Sequence, residues 1–251
     1  MTDTVSRFSD RVENYVKYRP DYPGEIVPFL ASEIGLTPEW TIADLGCGPG
    51  ISSKMFLENG NRVIGVEPND AMRDAAGEYL ADYDNFSIVE GSSDATTLDD
   101  ESVEMVVAAQ AFHWFDAEKT RPEFARILSP RGHIVLIWNL RLEDGSPFLI
   151  EYEEFIRRYS DEYVAVRHNN ITDNEVAGFL GPNFHKKVFA NKQIFDLEGL
   201  KGRLLSSSYI PNEAHPSYRS MIDELGGLFA KHAVADRIEL LYDTIIYYSV
   251  A

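Results

Sequence analysis

The chain has 251 residues, 44% of them hydrophobic and 25% charged, which is the composition of a globular protein with a full hydrophobic core. Its 23 basic and 41 acidic residues leave a formal charge of −18. A field of that sign repels phosphate backbones and anionic lipids. We therefore expect no nucleic acid and no membrane surface among its partners.

A single cysteine excludes an internal disulfide. The first residues carry no apolar signal segment, and no apolar run approaches the roughly 20 residues of a membrane helix. These features predict a cytoplasmic protein. The six histidines show no H-x-x-x-H spacing and there is no C-x-x-C pair, so we expect no metal site.

Predicted elements begin with a polar helix, the turn-rich RPDYPG at 19–24 and a helix over 25–34. From Trp40 onward, short β-rich runs alternate with segments of helical spacing. The β-rich runs are TIADL (41–45), NRVIGVE (61–67), FSIVEG (86–91), VEMVVAA (103–109) and GHIVLIW (132–138). Because these runs are apolar on both faces, they predict parallel strands covered by helices.

Helical segments separate these strands and complete βαβ units. They are SSKMFLENG (52–60), NDAMRDAAGEYL (69–80) and AEKTRPEFARIL (117–128). Asn69 or Asp70 can cap the second of them, and Ser-Pro-Arg-Gly at 129–132 predicts a stop before the fifth strand. Beyond residue 140 the pattern predicts helices over 146–159, 173–180 and 216–232 and strands over 185–195 and 238–251.

The glycine-rich stretch DLGCGPG at 44–50 follows the first strand and precedes a helix. Glycines there let a ligand approach bare backbone. The spacing G-x-G-x-G differs from the G-x-G-x-x-G of dinucleotide enzymes, and Pro49 removes one amide donor. Asp44 disfavours a phosphate and suits a ligand ammonium. The stretch predicts a zwitterionic ligand, with an NAD-dependent oxidoreductase or a tight turn without a ligand as alternatives.

Acids follow the next two strands. Glu67 stands 21 residues after Gly46, where an acid can accept both hydroxyls of a ribose. Asp94, with the Ala95 amide nearby, can accept from an exocyclic amine such as that of adenine, or can instead cap a helix. Cys47 has no base or cationic neighbour in sequence, so we interpret it as a small space-filling residue and not as a nucleophile.

Taken together, these motifs resemble the class I S-adenosylmethionine (AdoMet)-dependent methyltransferases. The matching stretches are DLGCGPG at 44–50, VIGVEPNDAM at 63–72, GSSDA at 91–95 and AAQAFHWFD at 108–116. Upstream, FSDRVENYVKYRPDYP at 8–23 resembles the N-terminal cap of a small-molecule branch, methyltransferase type 11, that includes trans-aconitate methyltransferase-like proteins.

The resemblance implies AdoMet as methyl donor and S-adenosylhomocysteine (AdoHcy) as product. It also implies residue roles: Asp44, Gly46, Cys47 and Gly48 around the methionine part, Glu67 at the ribose, Pro68 and Met72 flanking adenine, Asp94 and Ala95 at its edge, and Gln110 beside the methyl group.

Methyl transfer from a sulfonium requires mainly alignment, so few catalytic side chains are expected. The stretch AFHWF follows the fourth strand at the edge where open α/β sheets bind ligands. His113 is the candidate general base; alternatively it hydrogen-bonds the substrate or packs within its own loop. Phe112, Trp114 and Phe115 are interpreted as pocket walls or as plain core.

The N-terminal segment brings Tyr15, Tyr18 and Arg19 toward the same edge. Arg19 can clamp a carboxylate of AdoMet or of the substrate, or can form a surface salt bridge. Trp138 and Asn139, just past the fifth strand, are further pocket candidates by position.

We expect a Rossmann-like α/β fold with a seven-stranded, mostly parallel sheet, helices on both faces, an N-terminal helical cap and inserted C-terminal helices. Residues 1–251 form one domain in this prediction, with a cap (1–36), a cofactor-binding core (40–139) and acceptor-side helices and last strands (140–251). The expected activity is methyl transfer to a small-molecule acceptor, with a carboxylate as first expectation. An AdoMet-binding protein without turnover is the alternative, and a monomer or homodimer is expected.

Overall fold

The protein is described by a computed structural model that covers residues 12–160, 163 and 172–249. Its centre is a seven-stranded sheet in the order β3-β2-β1-β4-β5-β7-β6. The strands are β1 Thr41–Leu45, β2 Arg62–Val66, β3 Phe86–Val89, β4 Val103–Ala109, β5 Leu128–Arg141, β6 Phe184–Phe195 and β7 Ile238–Ser249. All seven lie where the sequence predicts a strand.

Strands β1 to β5 run parallel, and β7 runs antiparallel to both β5 and β6. The chain leaves β1 toward β2 and β3 on one side and returns to β4 on the other. This reversal opens a crevice beyond the carboxyl ends of β1 and β4, which is the usual ligand position in open α/β sheets. The seven-stranded, mostly parallel sheet predicted from the sequence is confirmed.

Helices surround the sheet. They are α1 Val12–Tyr18, α2 Ile26–Ile34, α3 Ile51–Glu58, α4 Asp70–Tyr79, α5 Ala117–Ile127, α6 Pro147–Tyr159, α7 Asp173–Leu180, α8 Leu197–Leu205 and α9 Tyr218–His232. A short 3₁₀ turn covers Phe112–Trp114. None of the described helices is both long and apolar enough to cross a bilayer.

Local capping explains several boundaries. Asn69, and not Asp70, caps α4, because its side chain accepts the N–H of Met72 at 3.0 Å. Helix α5 ends at Ile127, and β5 begins at the next residue. The predicted stop at 129–132 is therefore the first part of a long strand, and the helix ends two residues before it.

Helix α8 was absent from the sequence prediction. The two glycines in LEGLKGRLL lower its intrinsic helix propensity. Asp196 caps it by accepting the N–H of Gly199 at 2.9 Å. Gly202 is required by packing, because a Cβ there would lie 2.1 Å from Cε2 of Tyr18. The N-terminal helix α1 thus rests directly on α8.

Three apolar clusters hold these layers together. One gathers α2 and α3 on the sheet, with Leu30 and Phe56 fully buried. A second joins α5 and α7 to the sheet through Phe124 and Val176. The third packs α6, α8 and α9 on β7. Burying each large side chain contributes roughly 1.5–3 kcal/mol, so the late helices are fixed to the sheet by substantial apolar contact.

Candidate functional site

The glycine loop turns the chain from β1 into α3. Gly46 has φ +65° and Gly48 has φ +55°, a region that residues with a side chain rarely adopt. A Cβ on Gly46 would lie 2.8 Å from Cβ of Ala111, whereas a Cβ on Gly48 would meet no atom within 4 Å. Gly46 therefore permits close packing against the β4 loop, and Gly48 faces open space.

Asp44 is fully buried beneath this loop. Its Oδ2 accepts the hydroxyl groups of Ser52 at 2.6 Å and Ser53 at 2.7 Å, which ties the start of α3 to the end of β1. Burial raises the pKa of Asp44 to about 6, although both hydroxyl groups oppose that rise. The carboxylate lines no cavity described below, and its Oδ1 is buried without a hydrogen-bond partner among the described residues. The contact of Asp44 with a ligand ammonium stays a prediction.

Glu67, directly after β2, is buried and faces the loop. Its Oε2 accepts the N–H of Gly48 at 3.0 Å, and its Oε1 accepts the N–H of Asn69 at 3.0 Å. Burial raises the pKa of Glu67, while the two amides lower it. One carboxylate thus fixes the loops that follow β1 and β2.

Two adjoining cavities lie at this edge of the sheet. The larger encloses about 330 Å³, within the range of small-molecule sites; the smaller encloses about 90 Å³. Both are lined by Tyr15, Gly46, Gly48 and Gln110. The two spaces therefore meet at the glycine loop and at the end of β4.

Gln110 occupies this junction in a left-handed conformation, with φ 57°. Its N–H donates to the carbonyl of Ile137 at 2.8 Å, and its Nε2 donates to the carbonyl of Asn139 at 3.1 Å. Its Oε1 is buried and has no hydrogen-bond partner among the described residues. A non-glycine residue held at positive φ and a buried acceptor without a donor are both features of ligand-binding positions.

The larger cavity collects most of the residues predicted to surround a nucleoside. Glu67, Pro68, Met72 and Asp94 all line it. Asp94 accepts the hydroxyl of Ser92 at 2.7 Å within a turn, so the helix-cap alternative is wrong: no helix begins there.

Ala95 does not line the larger cavity. Its amide donates to the carbonyl of Ser92 at 3.2 Å. The structure therefore does not bring the predicted Ala95 amide to the cavity.

The aromatic loop after β4 divides between core and cavity. Trp114 and Phe115 line the larger cavity. Phe112 and Trp138 are buried, with ring centroids 6.2 Å apart, and line neither cavity. The sequence proposed these two for the pocket; they are instead part of the core, because the apolar face of the sheet covers them.

His113 is half-buried, with both ring nitrogens shielded from solvent, and it lines neither cavity. Burial lowers the pKa of His113 to about 4, so its ring is neutral at pH 7. Of the three interpretations given by the sequence, packing within its own loop agrees best with this position. The structure does not place His113 where a general base would act on a ligand in the cavities.

Cys47 lines the smaller cavity but is only 5% exposed. Burial raises the pKa of its thiol well above the ordinary value, with the nearby carboxylates adding to the rise. A Cβ on Gly65 would lie 2.8 Å from its Sγ. The thiol is therefore protonated and fills space, as the sequence predicted.

Asn139 lines the smaller cavity and anchors the cap to the sheet. Its Nδ2 lies 3.4 Å from the carbonyl of Pro20 and 3.3 Å from that of Asp21, and its Oδ1 accepts from Asn191 at 3.2 Å. Tyr15 reaches both cavities, whereas Tyr18 reaches neither because its ring packs on α8.

Arg19 lines the smaller cavity, and its guanidinium lies 4.7 Å from the ring centroid of Tyr15. Burial and the neighbouring Arg203 lower its pKa. No carboxylate lies within ion-pair distance of Arg19 among the residues that the structure covers, so the described residues give the surface salt-bridge alternative no support.

Sequence reasoning missed other residues of the smaller cavity, namely Arg141, Tyr163, Arg203 and Tyr209. Arg141 carries a weak signal, as it lies two residues past Asn139 on the same strand. Arg203 lies on α8, a helix that the sequence did not predict, and Tyr209 lies just after it. Across the described ranges, no group of three or more His, Cys, Asp or Glu side chains is arranged to hold a metal ion.

Comparisons with known proteins agree with this geometry. A family model described as "Methyltransferase domain" matches residues 43–136. An uncharacterized methyltransferase-like protein of Schizosaccharomyces pombe is 27% identical over 98% of this chain and 95% of its own length. An uncharacterized methyltransferase of Mycobacterium bovis is 33% identical over 63% of this chain and 62% of its own.

A solved structure described as a candidate type II methyltransferase from Anaeromyxobacter dehalogenans has the same fold. Its TM-score is 0.67 at 22% identity, covering 93% of this chain and 98% of that one. The matches leave the NAD-dependent alternative without support. Residues 43–136 therefore form a methyltransferase domain, and the relatives, the strand order and the glycine loop support a class I S-adenosylmethionine-dependent methyltransferase.

Proposed function

We propose that this methyltransferase holds AdoMet with its nucleoside part in the larger cavity and transfers the methyl group to a small molecule that enters from the smaller cavity. The observation that carries the proposal is that the two cavities meet at Gln110 and the glycine loop. A donor and an acceptor bound on either side of this junction would approach each other without passing through protein. In this arrangement residues 1–36 cap the site, 40–139 bind the cofactor and 140–251 shape the acceptor side.

The residues at the junction fit the cofactor. Oε1 of Gln110 is a buried acceptor that lacks a donor within the described ranges, and an amino-acid ammonium is such a donor. Glu67 lines the larger cavity with its carboxylate already oriented by two amides, which suits a pair of ribose hydroxyls. Gly48 leaves open space where a side chain would otherwise stand.

Bound AdoMet supplies a methyl group on a positively charged sulfur, which is already activated for transfer. The protein's part is then to align the acceptor and to exclude water. No general base is assigned, since His113 lines neither cavity. An acceptor that is already an anion needs none, and this supports a carboxylate as the group that receives the methyl.

Calorimetric titration tests the proposal. We expect AdoHcy to bind in the micromolar range and NADH not to bind; the opposite pattern would contradict the proposal. Gln110→Leu sharpens the test, because the variant should lose about tenfold in affinity for AdoHcy and little for methylthioadenosine, which has no amino-acid group. Equal losses for both ligands would remove Gln110 from the methionine end.

A further inference from the structure

Two arginine side chains meet at the end of helix α8. Arg203 is 8% exposed; its Nε donates to the Tyr242 hydroxyl at 3.1 Å, and its Nη1 lies 3.4 Å from the hydroxyl of Ser206 and 3.2 Å from that of Ser207. Arg19 arrives from the N-terminal cap, and its Nη2 donates to the carbonyl of Ser206 at 2.9 Å. Both guanidinium groups therefore converge on Ser206 and line the smaller cavity.

Neither guanidinium is balanced by an acid among the residues that the structure describes. A third arginine in this cavity, Arg141, forms an ion pair with Glu153. Within the described part of the chain, neither Arg19 nor Arg203 has a carboxylate within 4.0 Å, and the partners of both are neutral hydroxyl and carbonyl groups. Arg203 is buried and Arg19 is half-buried. Cations removed from water without counter-charge are unfavourable, and they are unexpected in a protein of net charge −18.

One hydrogen-bond donor of this arginine pair is left without a partner in the described part of the chain. The Nε of Arg19 is buried and has no partner among the described residues. The bonds of Arg203 to the protein run through its Nε and Nη1. A carboxylate is the group that two converging guanidinium forks bind best, since each fork can donate two parallel N–H bonds.

We propose that Arg19 and Arg203 together form an anion site that binds a carboxylate of the methyl acceptor. The inference rests on the proposed function, because it assigns the smaller cavity to the acceptor. The cavity encloses about 90 Å³ and is walled by tyrosines that include Tyr22 and Tyr209. It therefore suits a short carboxylic acid and not a bulky one.

Charge balance favours the acceptor over the cofactor as the source of this carboxylate. AdoMet carries a sulfonium, an ammonium and one carboxylate, so its own net charge is positive. Adding it to a site with two unbalanced guanidinium groups increases the positive charge there. Arg203 lines the smaller cavity and not the larger one. An acceptor with more than one carboxylate would offset more of this positive charge, so dicarboxylates should bind better than monocarboxylates.

Calorimetry on the purified full chain with AdoHcy prebound tests the site. The probes are acetate, succinate and citrate, with succinamide as the uncharged analogue, all at one ionic strength. We expect succinate or citrate to bind more tightly than acetate, and succinamide not to bind. Arg19→Met and Arg203→Met should each lower the affinity for the carboxylate by about tenfold or more, whereas the affinity for AdoHcy should change by less than about threefold.

Matched variants separate charge from folding. Arg203→Lys keeps the charge and should lose less carboxylate affinity than Arg203→Met. Arg158→Met removes an exposed arginine that pairs with Glu224 of α9 and lines neither cavity. This substitution should change neither the carboxylate affinity nor the AdoHcy affinity. Circular dichroism checks folding; should Arg203→Met fail to fold, Arg19→Met and Arg203→Lys decide the question.

Three results would overturn the inference. The first is that the wild-type protein binds AdoHcy but none of the carboxylates, which would leave the proposed function intact. The second is that the carboxylate affinity is unchanged in the arginine variants. If the variants weaken AdoHcy but not methylthioadenosine, the guanidinium groups hold the carboxylate of the cofactor instead. Failure of the wild type to bind AdoHcy at all counts against the proposed function itself.

Discussion

The main-chain N–H of Gly48 donates to Oε2 of Glu67 across 3.0 Å, so the acid that follows β2 holds the loop that follows β1. The other oxygen of the same carboxylate accepts the N–H of Asn69, at the cap of α4. The side chain also lines the larger cavity. One residue therefore sets the shape of the glycine loop and presents its acceptors to the proposed ribose.

Replacing this acid should weaken cofactor binding. Glu67→Gln keeps the size of the side chain but leaves one acceptor oxygen for two amides, and it removes the charge that strengthens those bonds. Hydrogen bonds to charged groups contribute about 1.5–3 kcal/mol, so we expect the Kd for AdoHcy to rise at least tenfold. Calorimetry measures this change.

Glu90→Gln is the matched control for that experiment. Glu90 lies after β3 on the same edge of the sheet, is exposed and lines neither cavity. Its substitution should leave AdoHcy affinity unchanged. Equal effects of the two substitutions would mean that Glu67 acts only through the general negative charge of this edge.

The glycine loop gives a prediction about stability. Gly46→Ala places a Cβ at 2.8 Å from Cβ of Ala111 on a backbone with φ +65°, so both packing and conformation oppose it. We expect a loss of about 1–3 kcal/mol in the free energy of unfolding. Urea denaturation measures this loss.

Gly227→Ala supplies the opposite case. Gly227 lies within α9, and a Cβ there would meet no atom within 4 Å. This substitution should raise the free energy of unfolding by about 0.4–1 kcal/mol, because alanine restricts the unfolded chain. A loss in both variants would show that the space around each glycine does not govern the effect of the substitution on stability.

Much of the sheet is predictable from the sequence because its central strands are apolar on both faces. TIADL and VEMVVAA coincide with β1 and β4, and the helix over 173–180 coincides with α7. The larger cavity was predictable for a related reason. Its residues follow strand ends directly, and the carboxyl ends of parallel strands meet at one edge.

The smaller cavity was less predictable. Arg203 lies on a helix whose glycines oppose helix formation in isolation, and packing of Gly202 against Tyr18 makes that helix possible. Such a long-range contact leaves no local pattern. Similarly, the sequence placed Phe112 and Trp138 at strand ends, where pocket residues lie. The structure has Trp138 within β5, and the tertiary packing that buries both side chains decides which way each one faces.

Asp44 should make stability fall as pH rises from acid toward neutral. Its pKa of about 6 in the folded protein is above the ordinary 3.8 because burial disfavours the charged form. A raised pKa means that the folded state holds the proton more tightly. The stability that the protonated Asp44 carboxyl contributes is thus fully present below pH 3.8 and is lost as pH rises through about 6.

Asp44→Asn tests that dependence, since the amide keeps an oxygen for Ser52 and Ser53 but cannot ionise. The free energy of unfolding of the variant, relative to that of wild type, should rise by up to about 3 kcal/mol as pH increases from about 4 to about 7. Urea denaturation across this range measures the difference. A difference that is constant with pH, or that shrinks as pH rises, would show that Asp44 ionises freely in the folded protein.

His113 should act in the opposite direction over a similar range. Burial lowers its pKa from 6.5 to about 4, so the folded protein resists protonating the ring. A lowered histidine pKa means that the unfolded chain binds the proton more readily. The stability that the neutral ring contributes is therefore present above pH 6.5 and is lost as pH falls toward 4.

His113→Gln removes this titration and leaves a neutral side chain at every pH. Whatever constant cost the substitution carries, the stability of the variant relative to wild type should improve by about 3 kcal/mol as pH falls from about 7 to about 4. The same denaturation series measures it.

Because a ring with a pKa of about 4 stays neutral near pH 7 and lines neither cavity, AdoHcy affinity should be flat from about pH 6 to about pH 8 in both proteins. A step in wild-type affinity near pH 6.5 that the variant lacks would instead place the ring in contact with ligand and restore it as a candidate base.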